Sequence, residues 1–384
     1  MSRDTRKGLI EEIERLRGSR VVTYITGDRA PAAAQMGNDA VRYIYDHLRA
    51  LGKVDQLDLF VYSRGGDINS PWRIASAMRT AAPVWNLLAP LAANSAATLL
   101  ALGADEIVLG PQAELGPIDP QMAEQQGGPT QNNVGVEDVM AYVKFITERA
   151  GLSDQAALAA SVSKLTERLD PVSLGQIYRT HSHIREVAAQ MLRSRKEPPN
   201  EQTMATIIET LAERVYAHGH AIGFRDAESM GLPVVQANGD LDQAMWALLN
   251  EYETELKMLD PVDPRAAIDT SDKYEEPVKL GAIESAWALH EFCGTLSIQA
   301  QRQVPPQLAI NLNMNVQLPQ LPDPVPPDTQ QLLQQIMQAI QQPIADAAKQ
   351  AVEEAVKNQA PLAGLEVAVK GSHWELLDGG GEPG

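Results

Sequence analysis

The clearest indication of the fold comes from the sequence between residues 57 and 119. This stretch contains two informative segments, LDLFVYSRGGD at 57–67 and VWNLLAPLAANSAATLLALGADEIVLGPQAELGPID at 84–119. Short apolar runs alternate there with segments of helical periodicity. The predicted elements, in chain order, are strand 57–62, helix 68–82, strand 84–88, helix 95–103 and strand 106–109. This alternation is typical of parallel βαβ units, whose helices cover a central sheet.

The same pattern continues on both sides of this stretch. Upstream, VVTYIT at 21–26 predicts a strand, and an amphipathic helix is predicted at 35–51. Downstream, residues 136–235 are mostly helical in pattern and end in FRDAESMGLPVV at 224–235, a short helix that runs into a strand. We therefore expect an α/β fold.

Shifts in composition divide the chain into five segments. Apolar residues alternate strictly at 310–318 within a stretch that is rich in proline, and a helix kinked at Pro343 is predicted after it. The expected segments are a solvated N-terminal helix (1–19), the α/β core domain (20–260), a connecting segment (261–303), a Pro-rich linker with a strand (304–328), and a C-terminal amphipathic helix with a tail (329–384).

Charge and cysteine content exclude several classes of protein. The 384 residues include 50 acidic and 32 basic side chains, a net charge of −18, so we expect no nucleic-acid partner. The single cysteine, Cys293, excludes an internal disulfide and a thiolate zinc cage. No apolar run approaches the ~20 residues of a membrane span, and the charged first 18 residues do not resemble a secretory signal. We expect a soluble cytoplasmic protein.

Two motifs follow the predicted carboxyl ends of strands, where parallel sheets bind their ligands. Ser95 lies between a strand and a helix of small residues, whose first N–H groups can stabilise negative charge. The alternative role for Ser95 is a helix N-cap, which is the commoner one. Gly65 and Gly66 permit a backbone that points N–H groups into a cavity, as an oxyanion hole requires. An ordinary strand-to-helix turn is the alternative for these glycines.

The order of these motifs along the chain resembles that of a known protein fold. SRGGD at 63–67, NSAATLLALGADEIVLGPQAELGPIDPQ at 94–121 and the segment at 224–235 resemble the Clp-protease/crotonase fold. More narrowly, they resemble the serine dehydrogenase proteinase family, a relative of signal peptide peptidase A, over about residues 20–236. The resemblance implies a spiral of ββα units with helical insertions and a C-terminal extension. It further implies serine peptidase chemistry on a protein or peptide substrate, a homo-oligomer, and no metal or organic cofactor.

The resemblance also assigns roles to residues. Ser95 matches the nucleophile of the family, and the N–H groups of Gly66 and Ala96, next to Gly65, match the oxyanion donors. Clp proteases carry a histidine base about 25 residues after the serine, but this chain has GPIDP around Asp119 there instead. That departure favours the Ser-Lys dyad of signal peptide peptidases. One role considered for Asp119 is a triad-like acid, but a carboxylate base without histidine is unusual for acyl transfer, and an aspartate before a proline more often shapes a turn.

Two lysines are candidates for the base. Lys144 lies on the apolar side of a helix predicted at 136–150, where burial would lower the lysine pKa and allow a neutral amine. A lysine that extends from the edge of the stripe to solvent is the alternative. Lys164 is the second candidate, on the solvated side of its helix. The histidines, among them His181 and His183, are predicted to be core or surface residues rather than metal ligands.

The leading hypothesis is therefore a cytoplasmic serine endopeptidase that uses Ser95 and Lys144. The alternative is a catalytically inactive scaffold of the same fold, which the missing histidine and the uncertain lysine favour. Crotonase-like acyl-thioester chemistry is a third possibility and ranks last, because it would leave Ser95 without a role.

Overall fold

The computed structural model describes residues 3–118, 121–122, 134–135, 139, 141–142, 144–167, 171–214, 221–269, 271–303 and 330–379. Asp119, the Pro-rich segment with its predicted strand, and the end of the tail lie outside these residues. The chain divides into two compact units. One comprises Met1–Pro261, Val278–Gly294 and Ser372–Gly384, and the other comprises Val262–Pro277 and Thr295–Gly371.

The described strands form one large sheet and two small ones. In chain order they are β1 (Arg20–Thr26), β2 (Gln56–Tyr62), β3 (Val84–Ala89), β4 (Ala92–Ala93), β5 (Ile107–Leu109), β6 (Glu114–Leu115), β7 (Gln121–Met122), β8 (Val134–Gly135), β9 (Val234–Gln236), β10 (Lys273–Ser285), β11 (Ala288–Arg302) and β12 (Leu362–Gly379). The large sheet has the order β12-β11-β10-β1-β2-β3-β5-β9. Strands β1, β2, β3, β5 and β9 run parallel, as the alternating sequence pattern predicts, whereas β10 is antiparallel to β1.

Helices connect these strands. They are α1 (Arg3–Arg17), α2 (Ala40–Leu51), α3 (Ser70–Ala81), α4 (Ala96–Leu102), α5 (Gln155–Thr166), α6 (Pro171–Arg193), α7 (Glu201–Glu209), α8 (Phe224–Ser229), α9 (Gly239–Glu255), α10 (Pro264–Ala267) and α11 (Gln330–Gln359), with π-helical turns at Phe145–Arg149 and Thr210–Arg214. Within the described residues, none of the helices combines the length and the apolar character that crossing a membrane requires.

Two apolar cores lie on opposite faces of the parallel strands. Successive strand residues point to opposite faces, so Tyr24 packs in one core and Ile25 in the other. The first core includes the buried faces of α2, α3, α4, α6 and α7, and the second includes those of α1 and α9. The strands therefore read as continuous apolar runs, because both of their faces are covered.

The connections that follow β1, β2 and β3 pair with one another in chain order. Met36 forms a parallel bridge with Gly66, and Ser63 forms one with Ala93. Strand β4 then pairs in parallel with β6. Each repeat of the parallel core therefore consists of a long strand, a short second strand or bridge, and a helix. This arrangement is the spiral of ββα units expected from the sequence. The predicted fold class is confirmed.

The N-terminal helix differs from expectation. The sequence predicts a solvated helix, but Ile10 and Ile13 are fully buried and α1 packs against α9. Arg6 is also buried, and its Nε atom lies 2.7 Å from Oε2 of Glu284. The apolar row of α1 therefore belongs to the second core, together with the buried face of α9.

The long strands β10, β11 and β12 were not predicted. The segment 261–303 was expected to be a connection, yet it contains β10 and β11, and β12 follows α11 where a tail was expected. Helix α11 agrees with the predicted C-terminal helix and continues through Pro343. In the unit that contains α11, the Nη2 atom of Arg302 lies 2.7 Å from Oδ1 of Asp272.

Candidate active site

Ser95 has a backbone conformation that is unusual for a residue with a side chain. Its φ and ψ are 53° and −112°, at the junction between β4 and α4. Positive φ values of non-glycine residues are strained, and such strain accumulates at functional turns. The Ser95 side chain makes no capping hydrogen bond to α4, so the N-cap alternative is not what the structure has. The hydroxyl of Ser95 is half-buried at the start of a helix of small, buried residues.

Gly65 and Gly66 lie directly against this serine and against the preceding connection. Both have positive φ, 116° and 156°. A Cβ atom at position 65 would lie 2.7 Å from Cβ and 3.2 Å from Oγ of Ser95, and one at position 66 would overlap the backbone of Met36. Side chains at either position would therefore displace the backbone that faces Ser95.

The backbone N–H groups of Gly66 and Ala96 are available as donors. Met36 donates its N–H to the carbonyl of Gly65 at 2.8 Å and accepts from Asp67 at 2.8 Å, so the N–H of Gly66 faces away from Met36. Ala96 is the first residue of α4 and has no helical acceptor for its N–H. Within the described part of the chain, neither group has a hydrogen-bond acceptor. Such a pair of donors can stabilise an oxyanion.

Two buried hydroxyl groups hold this backbone in place. The Ser63 Oγ accepts from the Thr26 hydroxyl at 2.8 Å and from the Gly65 N–H at 3.1 Å. The Thr98 Oγ1 lies 2.8 Å from the carbonyl oxygen of Ala93, and it accepts from the N–H of Gly116 at 3.0 Å. The glycine segment and the start of α4 are therefore fixed by groups that are themselves shielded from water.

Both candidate lysines are exposed. Lys144 directly precedes the π-helical turn Phe145–Arg149, whose Ile146 is buried while Lys144 itself faces solvent. Lys164 is 74% exposed and pairs with Glu167 at 2.8 Å, which agrees with its predicted solvated side. The desolvation expected of Lys144 is not seen in the isolated chain, so its role as a base remains a prediction.

A histidine that the sequence predicts to be a core or surface residue contacts the connection that follows the two glycines. His183 of α6 is exposed, and its Nε2 lies 2.8 Å from Oδ1 of Asn69. The Asn69 amide donates to Asp67, directly after Gly66, so Oδ1 faces the imidazole and Nε2 carries the proton. Nδ1 is then the nitrogen that can accept a proton. Sequence spacing gives no signal of this contact, because 114 residues separate the two partners.

Among the described residues, one group brings several metal-binding atoms together. Ligand atoms of Glu291, Cys293 and Glu375 lie within 4.8 Å of one another. Lys279 donates to Glu291 at 3.0 Å, and the Cys293 thiol donates to Glu375 at 3.2 Å. The ammonium group of Lys279 thus already supplies a positive charge beside these carboxylates.

The sequence that contains this site is similar to that of a known protein family. Residues 2–138 match the sequence model of a family described as ClpP-like SDH-type serine proteinase. Two uncharacterized proteins of Methanocaldococcus jannaschii are also similar. One is 22% identical over 265 residues, covering 66% of this chain and 81% of the relative. The other is 32% identical over 123 residues, covering 30% of this chain and 41% of the relative.

Solved structures of Clp proteins give weaker matches. ClpP1 from Listeria monocytogenes has 13% sequence identity and a TM-score of 0.32, covering 59% of this chain and 98% of ClpP1. A point mutant of the same protein has 11% identity and a TM-score of 0.32, covering 60% and 99%. The family match itself contains β1 to β6, both glycines and Ser95. The N-terminal part of the chain, residues 2–138, is therefore similar in sequence to the ClpP-like SDH-type serine proteinase family.

Proposed function

We propose that this chain is a serine endopeptidase in which Ser95 is the nucleophile and the N–H groups of Gly66 and Ala96 bind the oxyanion. The observation that carries the proposal is the strained backbone of Ser95, whose uncapped hydroxyl lies against Gly65. A serine that only capped α4 would bond its side chain to the first turn and would need no positive φ. The family match supports the same chemistry.

The reaction would proceed through an acyl-enzyme. The Ser95 Oγ attacks the carbonyl carbon of the peptide bond, and its proton passes to a base. The negative charge on the carbonyl oxygen is stabilised by the two N–H groups. The C–N bond then breaks, the base returns the proton to the leaving amine, and water hydrolyses the ester in the second half of the reaction.

Lys144 is the proposed base, in line with the Ser-Lys dyad that the resemblance implies. A neutral lysine requires a desolvated amine, and Lys144 is exposed in the isolated chain. Covering of Lys144 by substrate or by a second copy of the chain would supply that desolvation, and a homo-oligomer is part of this proposal. His183 is the second candidate, because its Nε2 contacts Asn69 in the connection that follows the two glycines and its Nδ1 can accept a proton.

A catalytically inactive scaffold is the alternative function. The exposure of both Lys144 and Lys164 favours it, because neither side chain has the buried surroundings that the proposed lysine base requires. The two functions differ in whether Ser95 is chemically reactive, so reactivity at Ser95 separates them.

The test is labelling of the full chain with a fluorophosphonate probe, together with hydrolysis of fluorescein-labelled casein. Wild type is expected to be labelled on Ser95, as located by mass spectrometry of the peptides, and to release fluorescence. Ser95→Ala should lose both signals. Ser163→Ala, which changes an exposed serine of α5, is the matched control and should keep both. Wild-type chain that stays unlabelled and inactive would favour the scaffold.

A further inference from the structure

One carboxylate oxygen contacts both segments of the candidate active site. The Oε1 atom of Glu114 accepts a hydrogen bond from Nδ2 of Asn94 at 2.9 Å and another from Nη1 of Arg64 at 3.1 Å. Asn94 directly precedes Ser95, and Arg64 directly precedes the two glycines. The side chain of Glu114 therefore joins the residue before the nucleophile to the residue before the oxyanion segment.

Each end of this connection is fixed independently. The N–H of Glu114 donates to the carbonyl of Leu91 at 2.7 Å, which anchors its backbone in the β4–β6 pairing. The Nε atom of Arg64 donates to Asp28 at 3.0 Å, and Asp28 accepts from the Tyr62 hydroxyl at 2.7 Å. The guanidinium of Arg64 is thus held from two sides, so its bond to Glu114 constrains the backbone that continues into Gly65.

Asn94 adopts an orientation that depends on Glu114. Its Oδ1 atom is buried and has no hydrogen-bond partner, which is unfavourable for a polar atom. Turning the amide over would bring Oδ1 against the carboxylate of Glu114, and two acceptors repel each other. The bond from Nδ2 to Glu114 therefore holds Asn94, and with it the strained turn at Ser95, in the observed conformation.

We propose that Glu114 is a positioning residue that sets the separation between the Ser95 hydroxyl and the Gly66 N–H through its shared Oε1 atom. The proposal rests on the proposed function of Ser95. Arg64 and Glu114 are partly exposed, and ion pairs of that kind add little to stability. Catalysis is far more sensitive, because a misplacement of about 1 Å can lower a rate about 100-fold.

The variants Glu114→Ala and Glu114→Gln test this role in the full chain. Glu114→Ala is expected to lower kcat for fluorogenic casein peptides about 30-fold, with KM within about threefold of wild type. The rate of fluorophosphonate labelling should fall by the same factor. Glu114→Gln should recover to within about threefold of wild type, because an amide oxygen can accept both hydrogen bonds. Glu106→Ala is the matched control, since Glu106 also pairs with an arginine, Arg17, but outside this site.

A second variant keeps the test independent of how well Glu114→Ala folds. Asn94→Ala breaks the other end of the same connection and should lower kcat by a similar factor. The double variant should be no slower than Glu114→Ala, because Glu114→Ala already removes the hydrogen bond that Asn94→Ala breaks. Additive losses, or a Glu114→Ala chain labelled as fast as Glu106→Ala, would overturn the role of Glu114 alone. A wild-type chain unlabelled at Ser95 would overturn the proposed function and this role together.

Discussion

Gly65 and Ser95 are in contact so close that residue 65 has no room for a side chain: a Cβ atom there would lie 2.7 Å from the Cβ of Ser95. The two residues come from different connections, one after β2 and one after β4. Their contact makes the glycine segment and the serine one structural unit. All three residues of that unit, Gly65, Gly66 and Ser95, have positive φ. Of the three, only Ser95 carries a side chain and is strained by its positive φ, and strain at such a turn is a sign of function rather than of stability.

Substitution of Gly65 should separate steric effects from backbone strain. Gly65→Ala is expected to lower the rate of fluorophosphonate labelling at least about 100-fold, because the new methyl group would push Ser95 away. Gly52→Ala is the matched control, since Gly52 also has a positive φ of 69° but nothing within 4 Å of a Cβ atom. It should lose about 1 kcal/mol of stability and keep its labelling rate. Equal labelling of the Gly65→Ala and wild-type chains would contradict the contact.

The strain at Ser95 should be measurable as stability. Both Ser95→Ala and Ser95→Gly remove the hydroxyl, but only glycine relaxes a φ of 53°. Ser95→Gly is expected to be more stable than Ser95→Ala by about 1 kcal/mol, which urea unfolding monitored by circular dichroism can resolve. A glycine variant that unfolds at lower urea than the alanine variant would mean that the turn carries no strain.

The parallel part of the fold could be predicted because each of its strands is an apolar run that ends at a turn. Strands β2 and β3 are buried on both faces and are followed by polar or small residues. Strands β10 and β12 lack that signal. Pro277 lies within β10, and Gly371 lies within β12. Both residue types are disfavoured inside strands, so the local sequence does not predict a strand at either place. Their sheet positions come from pairing with distant strands, which local periodicity does not encode.

The candidate site could be predicted only in part, for a similar reason. Ser95 and the glycines follow strand ends, so the topology of parallel strands brings them together. The burial of Lys144 was inferred from the periodicity of a single helix, but its exposure depends on what packs against that helix. The contact of His183 with Asn69 joins α6 to the connection between β2 and α3. The local sequence around either residue does not predict this contact.

The identity of the base can be tested by two substitutions. If Lys144 is the base, Lys144→Ala should lower kcat for casein peptides at least about 100-fold. His183→Ala should then change it by less than about threefold. The opposite result would assign the base to His183, whose Nδ1 is free to accept a proton. Lys164→Ala is the matched control for Lys144→Ala, because Lys164 is an exposed lysine already paired with Glu167. Equal losses in all three variants would indicate a general effect on folding.

A buried histidine pair should make stability depend on pH. The Nδ1 of His47 lies 2.6 Å from the Ser285 hydroxyl, and its Nε2 lies 3.1 Å from Nδ1 of His290. Burial lowers the pKa of His47 to about 3, and the nearby His290 and Arg3 act in the same direction. The unfolded chain keeps the ordinary pKa near 6.5, so below that pH it binds a proton that the folded chain excludes.

Stability should therefore fall as the pH drops below about 6.5, and the loss from His47 alone is about 2 kcal/mol between pH 7 and pH 5. Urea unfolding at several pH values measures it. His47→Gln removes the titrating group, so its stability should decline less steeply over the same interval, although the variant starts from a lower value. His183→Gln, which changes an exposed histidine, is the control and should keep the wild-type slope. Identical slopes for His47→Gln and wild type would show that His47 does not carry the pH dependence.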